Sequence, residues 1–579
     1  MAKLTDEKII CNNWRTPFEL SHGNETTTHH ECIEFHARLA SNFPQILSFQ
    51  EIGNTDSGMP IHLGIVSADG EFDFERIKVS GRPILFNNNG IHPGEPEGVD
   101  VCMALVRDFC LDPESLRHLA DVVFVYIPLY NVDGALNRQN TSRVNQVGPE
   151  SFGFRGSARN LDLNRDFIKA LSSNSRVFNR VFTQWDPDIL VDTHTSNGAD
   201  YSYVVTLIAT QPDKLGGRLG PYLRESMLPD LFRQMEGRGY AMCPYVNPVR
   251  EIPDDGIVGF LDTPRFSTGY AALHHCIGFM PETHMLKTFR ERYLGTKAFM
   301  DSLIEFSVIN GRKIRALRAQ DRAEVVTARE WTLIWELDTK QHSSLMFRGY
   351  QAIYEPSRLG QYMRLRYDRN KPFEKEIPFY DRYIPATNIS PPFAYIVPHA
   401  WTEVIERLKL NGVDLRPVGR ECKVEVESYR IIDFKKEETP FEGLHLHNKV
   451  QVVRENALIS LCRNDWVVPL GQARDRYILE TLEPEAADSF FRWAFFDPVL
   501  NRKETFSGYV FEDEAERLLQ VEPGLREEFE AWKLANSNLV NNEHAVLHYI
   551  FTHCERYAEP EWCRYPIYRI VASHALQSL

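Results

Sequence analysis

The chain has 579 residues, 43% of them hydrophobic and 25% charged, and a formal charge of −15. That length exceeds what one ordinary hydrophobic core holds and calls for at least two domains. The acidic balance argues against generic nucleic-acid binding, which needs a basic footprint to displace counterions.

The first thirty residues contain no apolar run of signal-peptide length. No later segment approaches the roughly twenty apolar residues of a spanning helix. A cytoplasmic chain without a membrane span is therefore expected. Ten cysteines are scattered without a CxxC pair, so reduced, buried thiols are expected rather than a zinc ribbon or a disulfide framework.

Thr26–Thr28 offers an N-cap for an amphipathic helix through His30–His36, which lacks the i+4 histidine of a helical zinc motif. Pro83–Asn87 reads as a strand, followed by a helix over Val99–Phe109. Val122–Leu129, Asp188–Asp192 and Cys276–Met280 are further buried strands. Strands alternating with helices predict an α/β domain over residues 1–310, with about 45 lead-in residues and a mostly parallel mixed sheet covered on both faces. From 311 to 579 the texture changes to a mixed α+β region. Its strand-like pieces include Trp331–Leu337, Ala394–Val397, Lys423–Tyr429 and Lys449–Val453, and helices are expected at Ala486–Phe496 and Glu543–Phe551. No chemistry is legible in that half.

The strongest motif is the run from Ile91 to Gly98 (IHPGEPEG), directly after a strand. Its glycines and prolines build a tight turn that lets His92 and Glu95 converge. An imidazole and a carboxylate suit two zinc ligands, and His194, just past another strand, is the natural third. An isolated HxxE, or one histidine after a strand, is usually a loop residue or a cap. Here His92, Asn131, His194 and Glu282 each follow a different strand, which is where ligands bind in open α/β sheets. The pairs His274–His275 and His445/His447 have no partners at useful spacing.

With the sequences Asn131–Gly134 (NVDG), Asp162–Phe167 (DLNRDF) and Pro281–His284 (PETH), this set closely resembles the zinc carboxypeptidase family over about residues 45–310. Long bacterial-type members with an extra C-terminal region are the nearest likeness. The resemblance implies one Zn²⁺ per chain, held by His92, Glu95 and His194. It makes Glu282 the general base for a metal-activated water. Asn164 and Arg165 become the clamp for a substrate's terminal carboxylate. Arg143 becomes the oxyanion stabiliser, with Arg138 as the alternative because of the Gly-rich insertion Val147–Ser157. Tyr270 stands for the tyrosine that covers the substrate, with core packing as its other reading. The activity implied is removal of a C-terminal residue from peptides. Deacylation of N-acyl amino acids, or amidase action on cell-wall peptides, at the same zinc site is the alternative. A silent binding protein on this fold would lack a ligand or the base, and none is missing.

Overall fold

Four short apolar runs carry the architecture of this computed structural model, which describes residues 14–325 and 327–577. Cys11 and the leader reading of residues 1–13 lie outside the described residues. In chain order the strands are β1 (Leu47–Asn54), β2 (Pro60–Val66), β3 (Ile84–Asn88), β4 (Val123–Ile127), β5 (Ile189–Asp192), β6 (His194–Ser196), β7 (Val205–Ala209) and β8 (Met242–Pro244), followed by the short β9 (Ile257–Val258) and β10 (Ile277–His284). All but β9 form one sheet in the order β1-β2-β4-β3-β5-β10-β7-β8, with β6 paired beside β10. Strands β4, β3, β5 and β10 run parallel at its centre, whereas β1, β2 and β7 enter through antiparallel pairings. The mostly parallel mixed α/β sheet is as expected.

Both faces are covered, and the strand period of two assigns the residues. Leu85, Phe124 and Val191 pack with Met103 and Val106 of the helix Glu97–Leu111 and Phe299 of the helix Phe289–Val325. Phe86, Val125 and Leu190 point the other way, against Phe178 and Phe182 of Ser173–Trp185 and Tyr270 of Ser267–Leu273. This second layer continues into Leu408, Tyr477, Ile478 and Trp493, so one apolar cluster spans both halves of the chain. The expected boundary near residue 310 falls inside the 37-residue helix Phe289–Val325.

The C-terminal half adds three strand groups. β11 (Trp331–Leu337) pairs with β14 (Tyr383–Ile389), and a long hairpin joins β12 (Ser343–Pro356) to β13 (Met363–Tyr380), which also holds β9. β15 (Ala394–Val397), β16 (Arg416–Pro417), β17 (Cys422–Lys436), β18 (His447–Leu461), β19 (Trp466–Pro469) and β20 (Tyr568–Ile570) form a six-stranded sheet. Helices Gly508–Val521, Pro523–Ala535 and Glu543–His553 pack on one another through Phe511, Phe529 and Phe551. The helix expected at Ala486–Phe496 is instead a run of turns. Its aromatic spacing imitates a helical stripe, but Phe490, Phe491, Trp493 and Phe496 are all fully buried, and Ala494 adopts a left-handed φ of 61° that breaks a helix.

Thr28 caps the helix His29–Asn42, within the Thr26–Thr28 N-cap expected from the sequence, and Glu31 completes a reciprocal capping box. The nine described cysteines form no disulfide. Among the described residues, no helix is long and apolar enough to cross a membrane.

Candidate active site

Of the four polar residues expected after strands, His92 and Asn131 follow β3 and β4, His194 opens β6 just past β5, and Glu282 lies inside β10, two residues before its end. Past β3, the turn Ile91–Pro96 and the first turn of the helix that follows it each demand a glycine. A Cβ on Gly94 would stand 2.7 Å from Arg143 Cδ, and one on Gly98 would overlap Thr193. Asn131, past β4, is buried and stays out of the cavity. Its amide accepts the Gly134 N–H at 3.0 Å and donates to the Arg155 carbonyl at 3.0 Å, bracing the loops on either side.

His92, Glu95 and His194 converge. Their ligand atoms lie within 4.8 Å of one another, and they are the one such group of three among the described residues. Glu95 divides its oxygens, with Oε1 at 3.3 Å from His92 Nδ1 and Oε2 at 3.1 Å from His194 Nδ1. Each imidazole is backed on its far nitrogen by a carboxylate: Asp162 at 2.9 Å from His92 Nε2, and Asp192 at 3.0 Å from His194 Nε2. Such backing fixes ring orientation and leaves Nδ1 facing inward. His92 Nδ1 is buried without a hydrogen bond, a state that normally costs free energy unless something else binds there. Two imidazoles and a carboxylate are a donor set of the kind that holds catalytic zinc. The residues therefore fit the metal.

Electrostatics agree. Burial opposes ionisation of Glu95, but Arg143 and His92 hold its carboxyl well below the usual range. Burial likewise disfavours a charge on His194, yet Asp192 and Glu95 pull its pKa well up. That attraction for a proton would serve a metal cation equally.

Glu282 sits near the end of β10, in parallel register with His194. Burial pushes its carboxyl up to about 7, the His194 charge pulls against this, and Glu95 adds to it. A cavity of about 600 Å³ joins it to the triad and to Arg143, Asn164 and Arg165. Arg143 donates to Glu95 Oε1 and the Thr195 carbonyl, both at 2.7 Å. Arg138 instead donates to the Thr27 carbonyl and to Ser151, tying the N-terminal segment down away from the cavity. Arg165 lies on the short turn Leu163–Arg165, its guanidinium 4.5 Å over the Phe266 ring.

Tyr270 is corrected here. It is fully buried and does not line the cavity; its hydroxyl donates to Asn411 at 2.6 Å, and its ring packs among Phe167, Phe178 and Phe182. Helix Ser267–Leu273 turns that face into the core. The phenol on the cavity wall is Tyr245, raised to about 12 by burial and then by the charges of Glu282 and Glu95. Its motif-free setting after β8 gave no sequence signal. Arg155 was also missed, inside the Gly-rich insertion; it donates twice to Asp162 Oδ2, at 2.9 and 3.0 Å, and reaches Glu95 Oε1 at 3.4 Å. Asp162 could have been noticed as the first residue of the matched DLNRDF motif.

Residues 32–188 match the family described as zinc carboxypeptidase, a span that includes His92, Glu95 and the Asp162–Phe167 motif. The chain thus carries a zinc carboxypeptidase domain. The curated relatives that it resembles are named carboxypeptidase 2. Carboxypeptidase 2 of Trichophyton equinum is 23% identical over 427 residues, covering 69% of this chain and 72% of its own length. Carboxypeptidase 2 of Trichophyton rubrum is 22% identical over 426 residues, with the same coverage. Among solved structures, a metallo-carboxypeptidase from Burkholderia cenocepacia aligns at 15% identity and a TM-score of 0.35, covering 49% of this chain and 70% of that one.

Proposed function

We propose that this enzyme removes the C-terminal residue of peptides with a free terminal carboxylate, using one zinc ion held by His92, Glu95 and His194. The observation that carries the reading is a single cavity that joins the buried triad, Glu282 and the Asn164–Arg165 turn. Zinc bound there would supply Lewis acidity toward the scissile carbonyl.

The protein's own groups do the rest. Glu282, a carboxyl of raised pKa facing the triad, takes a proton from the attacking water and returns one to the leaving amine. Arg165 and Asn164 receive the terminal carboxylate; Arg165 brings a planar fork of donors and a largely desolvated charge. Arg143, once its grip on Glu95 yields, turns donors to the developing oxyanion. Ile208, Phe260 and Met280 give the wall beside the clamp an apolar surface for the departing residue.

Two measurements test this together. Metal analysis should find about one zinc per chain, and exhaustive chelation should abolish hydrolysis. Free-acid and amidated versions of one peptide should differ in kcat/KM by about thirtyfold to several thousandfold. An amide leaves the Arg165 charge unpaired, at a cost of roughly 2–5 kcal/mol. Arg165→Ala should narrow that ratio by weakening the free acid. Equal cleavage of both forms would show that Arg165 has another task.

A further inference from the structure

A side chain of the C-terminal half hydrogen-bonds to the turn that carries Asn164 and Arg165. Between β17 and β18 the chain makes a tight turn, Phe441–Leu444, closed by reciprocal backbone hydrogen bonds of 2.8 and 3.1 Å. At its tip Glu442 accepts the Asp162 backbone N–H at 2.6 Å, across 280 residues of sequence. Glu442 sits at a φ of 49°, a left-handed conformation that costs free energy for a non-glycine residue and persists where surrounding contacts enforce it. Those contacts are present. Phe441 stacks on Trp493 at 6.3 Å, Arg265 lies over both rings, and Arg265 donates to the buried Asp488 at 2.9 Å. Leu161, next to Asp162, packs under Gly443.

Asp162 has no slack left. Its Oδ1 faces His92 Nε2 and accepts the Asn164 N–H, its Oδ2 accepts from Arg155, and its carbonyl accepts the Arg165 N–H at 2.9 Å. The backbone position of Asp162 therefore sets both the His92 ring and the start of the Asn164–Arg165 turn. The external anchor of that backbone N–H is Glu442.

We infer that Glu442 is a positioning residue: through it the C-terminal half holds the Asp162–Arg165 turn, and so His92, in place. This rests on the reading of His92 as a zinc ligand. The hydrogen bond needs an acceptor and not a charge, because its donor is a neutral amide. Glu442→Gln should then preserve what Glu442→Ala removes.

The test uses the full chain, with zinc affinity measured by chelator competition alongside steady-state kinetics on a free-acid peptide. In Glu442→Ala, zinc affinity should fall about tenfold, the low end of the range seen when groups that orient a metal ligand are lost. KM should rise, while kcat at saturating zinc stays within about threefold. Glu442→Gln should match the native chain in all three. Because Glu442 lies on a half-exposed turn, the alanine variant should keep its circular dichroism spectrum and Tm. Zinc affinity within twofold of native in Glu442→Ala would overturn the inference, as would a glutamine variant as weak as the alanine one. A native chain that binds no zinc would instead sink the reading of the triad, so the two failures are distinguishable.

Discussion

Glu282 and Tyr270 show what a single residue's surroundings decide. Glu282→Gln keeps shape and hydrogen bonding but cannot accept a proton. Turnover should therefore fall by about 10²–10⁴-fold while the zinc content stays unchanged, as kcat and metal analysis of the same preparation would reveal. Retention of native kcat would move the base elsewhere. The two tyrosines should separate cleanly. Tyr270→Phe leaves the buried Asn411 Oδ1 without its donor and should lower stability by about 1–3 kcal/mol with kcat/KM intact. Tyr245→Phe removes a hydroxyl from the cavity wall and should change kinetics with little effect on Tm. If Tyr270→Phe alone impaired catalysis, the buried placement of Tyr270 would be in question.

At the scale of an element, the helix Glu97–Leu111 carries a titratable group in its first turn. Asp100 is fully buried, accepts the Thr27 N–H at 3.1 Å, and also accepts from the Thr26 hydroxyl. Burial outweighs these bonds and pushes its carboxyl up to about 7, against about 4 in an unfolded chain. The folded state thus prefers the proton. The stability this gives is fully present below about pH 4 and is lost as pH rises through about 7. Asp100→Asn, which keeps an acceptor but does not titrate, should flatten the dependence of Tm on pH across that window. An unchanged slope between pH 4 and 7 would assign the dependence to other groups.

For the molecule as a whole, one carboxylate ties three parts together. Asp186, in a left-handed conformation at the end of the helix Ser173–Trp185, receives Arg318 and Arg322 from the long helix Phe289–Val325 at 2.8 and 2.7 Å. Arg474, from the C-terminal half, reaches the same oxygen at 3.3 Å. Arg318 is wholly buried and also donates to the carbonyls of His274 and His275. Asp186→Asn tolerates the backbone but removes the charge that Arg318, Arg322 and Arg474 share, leaving Arg318 with Asp188 alone. Chemical denaturation should show a loss of about 3 kcal/mol. A change below about 0.5 kcal/mol would mean that the apolar cluster and the other polar contacts join the halves without Asp186.

The sequence by itself determined what short-range patterning can encode. The short apolar runs of β3, β4 and β5 and the glycine-dependent turn at Ile91–Gly98 were legible because both are written in a few consecutive residues. The match of His92, Glu95, His194 and Glu282 to a known order was legible as well. Contacts across long separations were left to the tertiary structure. Ring tautomers are set by Asp162, which is 70 residues from His92. Helix rotation buries Tyr270 and leaves Tyr245 on the cavity wall, and the choice between Arg143 and Arg138 depends on how the insertion folds back. Glu442 had no motif to mark it, because its role arises from a turn wedged against Leu161. The aromatic run Phe490–Phe496 misled the helix reading because Phe490, Phe491, Trp493 and Phe496 are spaced like a helical stripe, yet they are buried from a run of turns. Local spacing records which groups can meet along one element. Which elements meet is settled by how the whole chain excludes water from its apolar surface.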